Sequence, residues 1–195
     1  AFFLLLAVFG CSSYQKENTR KEFLLDENWK FNRIDVDAAK IDFDDNDWQK
    51  VTVPHDWAIY GPFGETNDRQ KVAITQNFEK QATVKTGRTG GLPYVGVGWY
   101  RTTFDINNFD DGKSVSILFD GAMSEARVFV NGKEACFWPY GYNSFHCDIS
   151  EYLTLSGKDN VLAVRLENQP ESSRWYPGAG LYRNVHVIVS NKIHV

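Results

Sequence analysis

Arg127-Val128-Phe129-Val130-Asn131-Gly132-Lys133-Glu134-Ala135-Cys136-Phe137 decides the fold. Two short runs rich in Val and Phe flank Asn-Gly, a dipeptide that accepts the positive φ angles of a two-residue hairpin turn. The stretch therefore reads as two antiparallel strands. The same period of two recurs on either side. Tyr100, Thr102, Phe104 and Ile106 alternate with Trp99, Arg101, Thr103 and Asp105, as in a strand with one face in a core and the other in water. Val115, Ile117 and Phe119 repeat the pattern. Residues 161–166 and 185–189 are nearly continuous apolar runs, which suit strands covered on both faces. Helical signal is confined to Asp148-Ile149-Ser150-Glu151, a cap for one turn running to Leu153. Many short strands with turns between them predict an all-β, two-sheet β-sandwich.

The chain has 195 residues, 43% hydrophobic and 15% aromatic, which suits one globular core and excludes disorder. Its formal net charge is -4, with 21 basic and 25 acidic side chains and no basic stripe, so a nucleic-acid partner is not expected. Residues 61–97 break the strand pattern with scattered Gly and Thr and read as a long excursion from the sandwich. The acidic group Asp42, Asp44, Asp45 and Asp47 and the pair Asp110 and Asp111 read as solvated turn residues. His146, His186 and His194 read as structural.

Residues 167–185 contain Arg174, Trp175, Tyr176, Pro177, Gly178, Gly180 and Tyr182, too rich in Pro and Gly for a regular element. Aromatic faces can cover the apolar C–H surface of a pyranose, while Asn and Arg bond its hydroxyls. The same aromatics could equally fill a packed loop. Four other stretches keep this one company: Asp44-Asp45-Asn46-Asp47-Trp48 before Val53-Pro54-His55-Asp56-Trp57; Gly98-Trp99-Tyr100-Arg101; Phe119-Asp120-Gly121-Ala122; and Gly141-Tyr142-Asn143-Ser144-Phe145. In this order they resemble the N-terminal sugar-binding domain of glycoside hydrolase family 2, from about Phe23 to the last residue, in its β-galactosidase-like branch.

The resemblance implies a jelly-roll sandwich of the galactose-binding-domain type, placed ahead of immunoglobulin-like and barrel domains of the same protein. Retaining glycosidases need two carboxyl groups about 5 Å apart, and in this family both come from the downstream barrel, the acid/base glutamate following an Asn in an Asn-Glu motif that this chain lacks. No catalytic residue is expected here, and no metal ligand set or cofactor. The resemblance implies instead that Asn168 contacts the terminal sugar, with Arg174 and Trp175 as further contacts. His55 and Asp56, at the end of a strand, could point toward the same pocket, or Asp56 could cap the turn before Trp57. The expected activity is that of an exo-acting retaining glycosidase on terminal β-linked sugars, to which this chain contributes pocket loops. The alternative is a free-standing carbohydrate-binding lipoprotein without catalysis. Packing between subunits of a homo-oligomer is a third role that the resemblance allows.

Residues 2–9 form an apolar run too short to cross a bilayer, ending at Gly10-Cys11-Ser12-Ser13. They read as a signal-peptide remnant (1–10) before a lipid-modified Cys11 and a tether (11–22), which places the protein in a bacterial cell envelope, periplasmic or on the outer membrane. Cys136 and Cys147 flank Pro139-Tyr140-Gly141-Tyr142. A hairpin there would bring them together for a bond, but the preferred reading is two small buried side chains. In the family pattern the strand that begins near Phe145 crosses to the other sheet, which is expected to separate them.

Overall fold

The computed structural model describes residues 20–61, 63–64, 67, 72–74, 78, 80–81, 83–85, 94–107, 110, 112–169 and 175–193. Twelve strands are described: β1 (Arg20–Leu24), β2 (Trp29–Asn32), β3 (Gln49–Val51), β4 (Val72–Ile74), β5 (Thr83–Lys85), β6 (Gly96–Phe104), β7 (Lys113–Phe119), β8 (Ala126–Val130), β9 (Lys133–Trp138), β10 (Phe145–Asp148), β11 (Asn160–Asn168) and β12 (Val185–Asn191). Two antiparallel sheets form the sandwich, a four-stranded one ordered β1-β12-β7-β10 and a six-stranded one ordered β3-β2-β6-β11-β8-β9. The all-β, two-sheet expectation is borne out. Within the 61–97 excursion, β4 and β5 pair as a separate two-stranded sheet.

The Asn-Gly hairpin is where the sequence puts it. Asn131 has φ 51° and Gly132 φ 81°, and β8 pairs with β9 through Val130 and Lys133. A bulge between Val128 and Phe129 then shifts the register. The Asn131 amide does more than turn the chain. Its Nδ2 donates to Tyr152 O (2.8 Å) and Asn160 Oδ1 (2.9 Å), and its Oδ1 accepts from Val161 N (2.9 Å). The hairpin is thereby fixed to β11 as well as to itself.

The main core lies between the sheets and includes Trp29, Phe31, Trp57, Tyr100, Ile117, Phe119, Leu162 and Leu166. β11 is buried along nearly its whole length, as its apolar run predicts. β6 departs from expectation because both of its faces are covered. Trp99 and Arg101, on the face expected to be wet, are 2% and 3% exposed. Residues 33–48 fold across that face and pack Ala38, Ala39 and Trp48 against Trp99 and Ala163.

That cover also corrects the reading of the acidic turn. Asp44 is a turn residue, its Oδ1 accepting from Asn46 N (3.2 Å). Asp45 is an ion-pair hub, bound by Lys30 Nζ (2.5 Å) and Arg101 Nε (2.8 Å). Burial pushes its carboxyl up, but the bonds and charges of Lys30 and Arg101 outweigh burial and hold it below the ordinary value. Arg101 also donates to the carbonyls of Ala38 (2.5 Å) and Lys40 (3.0 Å), so the buried guanidinium stitches the cover to the sheet.

The two cysteines require a second correction. β10 does cross to the four-stranded sheet, yet Cys136 and Cys147 are joined as a disulfide with Cα atoms 5.8 Å apart. At this end of the sandwich β9 and β10 approach each other closely, so changing sheets does not separate the thiols. The bond ties one sheet to the other. The short turn after β10 spans Ser150–Tyr152, and Asp148 Oδ1 accepts from Ser150 N (3.0 Å). His186, on β12, sits between Glu22 (3.1 Å) and Asp120 (3.3 Å), in keeping with its structural reading. His146 lies on β10 with its side chain exposed, and His194 lies outside the described residues.

Candidate functional site

The end of β11, the turn after β3 and the 175–182 loop meet at one end of the sandwich. After β3 the chain passes Pro54 and enters a 3₁₀ turn, Trp57–Tyr60, whose N-cap is Asp56. Asp56 Oδ1 accepts from Ala58 N (3.0 Å), so the capping role proposed for it is present. Its second oxygen is engaged as well. Oδ2 accepts from the Tyr176 hydroxyl (2.6 Å), which brings the carboxylate to the late loop. Burial raises the Asp56 pKa above its ordinary value, and the hydrogen bonds from Tyr176 and from the backbone of Ala58, Ala179 and Ile59 offset only part of that rise. Tyr176 is raised in turn, first by burial and then by the neighbouring carboxylate.

His55 is 9% exposed and sits in the core side of the same turn. Its Nδ1 lies 2.8 Å from the Tyr100 hydroxyl, which donates to His55 O (3.2 Å). The roles in the first contact follow the tautomer: Nδ1–H donates to the hydroxyl oxygen in one and Nδ1 accepts the hydroxyl hydrogen in the other. Burial, with help from the charge of Arg33, lowers the His55 pKa to about 4. His55 is therefore neutral at physiological pH and offers no cation.

Asn168, the last residue of β11, is 2% exposed, and its Nδ2 donates to Gly178 O (3.2 Å). Gly180 takes φ 86°, and a Cβ there would collide with the Tyr100 hydroxyl and come within 2.7 Å of His55 O. Backbone bonds between Met123 and Gly180 (2.9 and 3.1 Å) and from His55 N to Leu181 O (2.7 Å) complete the brace. Asn168, His55 and Asp56 thus converge on one short segment, Tyr176 to Leu181, and fix its path.

Trp175 stands at the head of that segment and is 59% exposed. Its Nε1 donates to the Tyr142 hydroxyl (2.8 Å), and the two rings are 6.4 Å apart at 53°. Tyr140 continues the aromatic face, its ring 5.4 Å from that of Tyr142. Tyr182 anchors the strand-to-strand loop below by donating to Gly141 O (2.7 Å). Arg174 and Cys11 lie outside the described residues. Sequence reasoning singled out Trp175 but missed Tyr140 and Tyr142 as its companions. The Gly141-Tyr142-Asn143 motif carried the signal, but two loops far apart in the chain give no spacing by which to pair them.

The arrangement offers three tilted, partly exposed rings, those of Tyr140, Tyr142 and Trp175, the last set on a loop held from beneath by buried polar bonds. Such a surface suits a ligand with both C–H faces and hydroxyls. Among the described residues at this end, both oxygens of Asp56 are engaged, one by Ala58 N and the other by the Tyr176 hydroxyl.

Comparison with known proteins agrees with the fold. Over 188 residues the chain is 39% identical to a beta-galactosidase of Bacteroides ovatus, covering 95% of this chain and 20% of that protein. A beta-glucuronidase of Bacteroides fragilis is 25% identical, with 97% of this chain and 23% of that protein covered. A crystal structure of a glycosyl hydrolase family 2 member from Bacteroides cellulosilyticus superposes with a TM-score of 0.70 at 33% identity, covering 87% of this chain and 20% of that one. The chain therefore spans about a fifth of the length of the relatives it matches. Residues 23–190 match the family described as glycosyl hydrolases family 2, sugar binding domain, and the chain belongs to that family.

Proposed function

We propose that this chain is the N-terminal sugar-binding module of an exo-acting, retaining glycosidase of the β-galactosidase type. It walls part of the substrate pocket, while a carboxylate pair in a barrel of the same protein cleaves the terminal β-linked sugar. The observation that carries this reading is the exposed Trp175 ring, bonded to Tyr142 and standing on a loop that Asn168 and Asp56 brace. In the proposal Trp175 stacks on the sugar, Arg174 bonds its hydroxyls, and Asn168, with His55 and Asp56 bracing the loop from beneath, completes this domain's share of the pocket. The galactoside preference follows the beta-galactosidase relative that is 39% identical.

Steady-state kinetics test it. The chain alone should leave 4-nitrophenyl β-galactoside uncleaved. In the protein that carries this domain together with its barrel, Trp175→Ala should lower kcat/KM by about 10- to 100-fold, the loss of one stacked and hydrogen-bonded ring of roughly 1–3 kcal/mol. Lys158→Ala serves as the control. Turnover by the isolated chain, or a Trp175→Ala enzyme as efficient as the control, sinks the reading.

The same proposal takes the protein to the bacterial cell envelope with Cys11 acylated. The Cys136–Cys147 bond supports it, since such bonds persist in oxidising compartments. Labelled palmitate should enter the wild-type protein. Label in Cys11→Ala would refute the assignment.

A further inference from the structure

Beside the edge strand β3 runs a groove of about 530 Å³, lined among others by Glu27, Asn28, Gln49, Lys50, His55 and Tyr60. Past His55 and Tyr60 it continues into a recess of about 200 Å³ that Arg33 borders. Neither shares a lining residue with the Tyr140, Tyr142 and Trp175 face.

Three observations say what could fill it. The first is the floor. Tyr60 is 74% exposed and lies parallel to the His55 ring, centroids 5.9 Å apart at 15°. The Tyr60 ring runs alongside a buried, hydrogen-bonded imidazole and keeps most of its surface exposed. A flat aromatic ring held this way costs little further ordering when something stacks on it. The second is the rim. Asn28 and Gln49 each donate and accept, Glu27 accepts and Lys50 donates. Vicinal hydroxyls, which donate and accept from adjacent positions, match that mixture. The third is charge. Glu27 and Lys50 offset each other within the groove, while Arg33 borders only the recess, where it donates to Gly61 O and lies over the Tyr94 ring, so the groove itself carries no cationic surplus of the kind a phosphate or a polyanion requires.

We infer that this groove is a second carbohydrate site of the domain, which takes a neutral pyranoside with its ring stacked on Tyr60 and its hydroxyls on Gln49, Asn28 and Lys50. The inference draws its ligand class from the sugar-binding reading above. It assigns the ligand to a different surface.

The test is an amide and side-chain NMR titration of this chain with methyl β-D-galactopyranoside and, in parallel, sodium methyl β-D-glucuronide. The expected result is saturable shifts at Gln49, Lys50 and Tyr60 with the neutral sugar, in the millimolar range usual for a single ring. Tyr60→Ala and, separately, Gln49→Ala should weaken binding at least tenfold. Tyr60 is exposed and Gln49 lies on an edge strand, so both variants should retain the wild-type melting profile. Unaltered binding by both variants overturns the inference, as do shifts confined to Tyr142 and Trp175, which leave the first site standing. A preference for the glucuronide overturns the neutral-ligand assignment. Shifts at β3 that depend on protein concentration without sugar would show that the edge pairs with a second copy of the chain, and would equally refute it.

Discussion

Tyr176 donates its phenolic hydrogen to Asp56 Oδ2 across 2.6 Å, joining residues 120 positions apart in the chain. The bond links the first 3₁₀ turn to the late loop, so the two stretches that carry the family pattern are one mechanical unit. Tyr176→Phe keeps the ring and removes the donor. Stability should fall by about 1–3 kcal/mol, the cost of leaving a buried carboxylate oxygen short of a partner. Asp56→Asn, which retains an acceptor for Ala58 N, should lose less. Urea unfolding of both variants checks the order.

The two neighbours His55 and Asp56 should bend the stability curve in opposite senses. The unfolded His55 takes up a proton near pH 6.5 and the folded one near pH 4, so the unfolded state binds more protons between these values. The stability that depends on a neutral His55 is complete above pH 6.5 and is lost as pH falls toward 4. For Asp56 the folded pKa is raised, so the folded state binds the extra proton and its contribution declines as pH rises through the interval above 3.8. His55→Gln should flatten the fall between pH 6.5 and 4, measured as the urea midpoint at half-unit steps. A variant that keeps the wild-type slope would remove His55 as its source.

Gly132→Val should lower stability by about 1 kcal/mol or more, because φ 81° excludes a β-branched residue. Space is not the obstacle: a Cβ at Gly132 meets nothing nearer than 3.8 Å. Asn131→Ala should cost more, about 2–3 kcal/mol, since three side-chain hydrogen bonds to Tyr152, Asn160 and Val161 go with it. Thermal melts of the two variants rank the contributions of turn and brace.

Removing the disulfide, by reduction or as the Cys136→Ser, Cys147→Ser double variant, should destabilise by about 3 kcal/mol for a closed loop of this length. The melting temperature should drop by roughly 6–12 °C. Identical melts with and without reductant would show that the sheets are held together without it.

Strands β6 to β9, β11 and β12 were legible because side-chain alternation and turn chemistry are local, whereas β1, β2, β4 and β5 were not read. Asn131-Gly132 announced its hairpin, and the continuous run ending at Leu166 announced a strand buried on both sides. Arg101 and Asp45 were not legible as partners, since what buries them is a cover folded back across 56 residues of chain. Cys136 and Cys147 were misread for a related reason: crossing to another sheet was taken as separation, although sheets converge at a sandwich end. At the site, Asp56, Asn168 and Trp175 could each be picked out by residue type. That Asp56 and Asn168 hold the loop while Trp175 is more than half exposed depends on burial, which no single motif encodes.

The β1–β12 ladder has a mechanical corollary. Arg20 faces Ser190 and Leu24 faces His186, so the first residue of β1 and the end of β12 lie side by side. Tension between them would load the ladder one hydrogen bond at a time, as a zip opens, rather than all rungs together. All five β1 side chains are exposed, which leaves little packing to resist the peel. Under such a pull β1 should lift away first, while the β7–β12 pairing and the disulfide keep the rest of the sandwich closed.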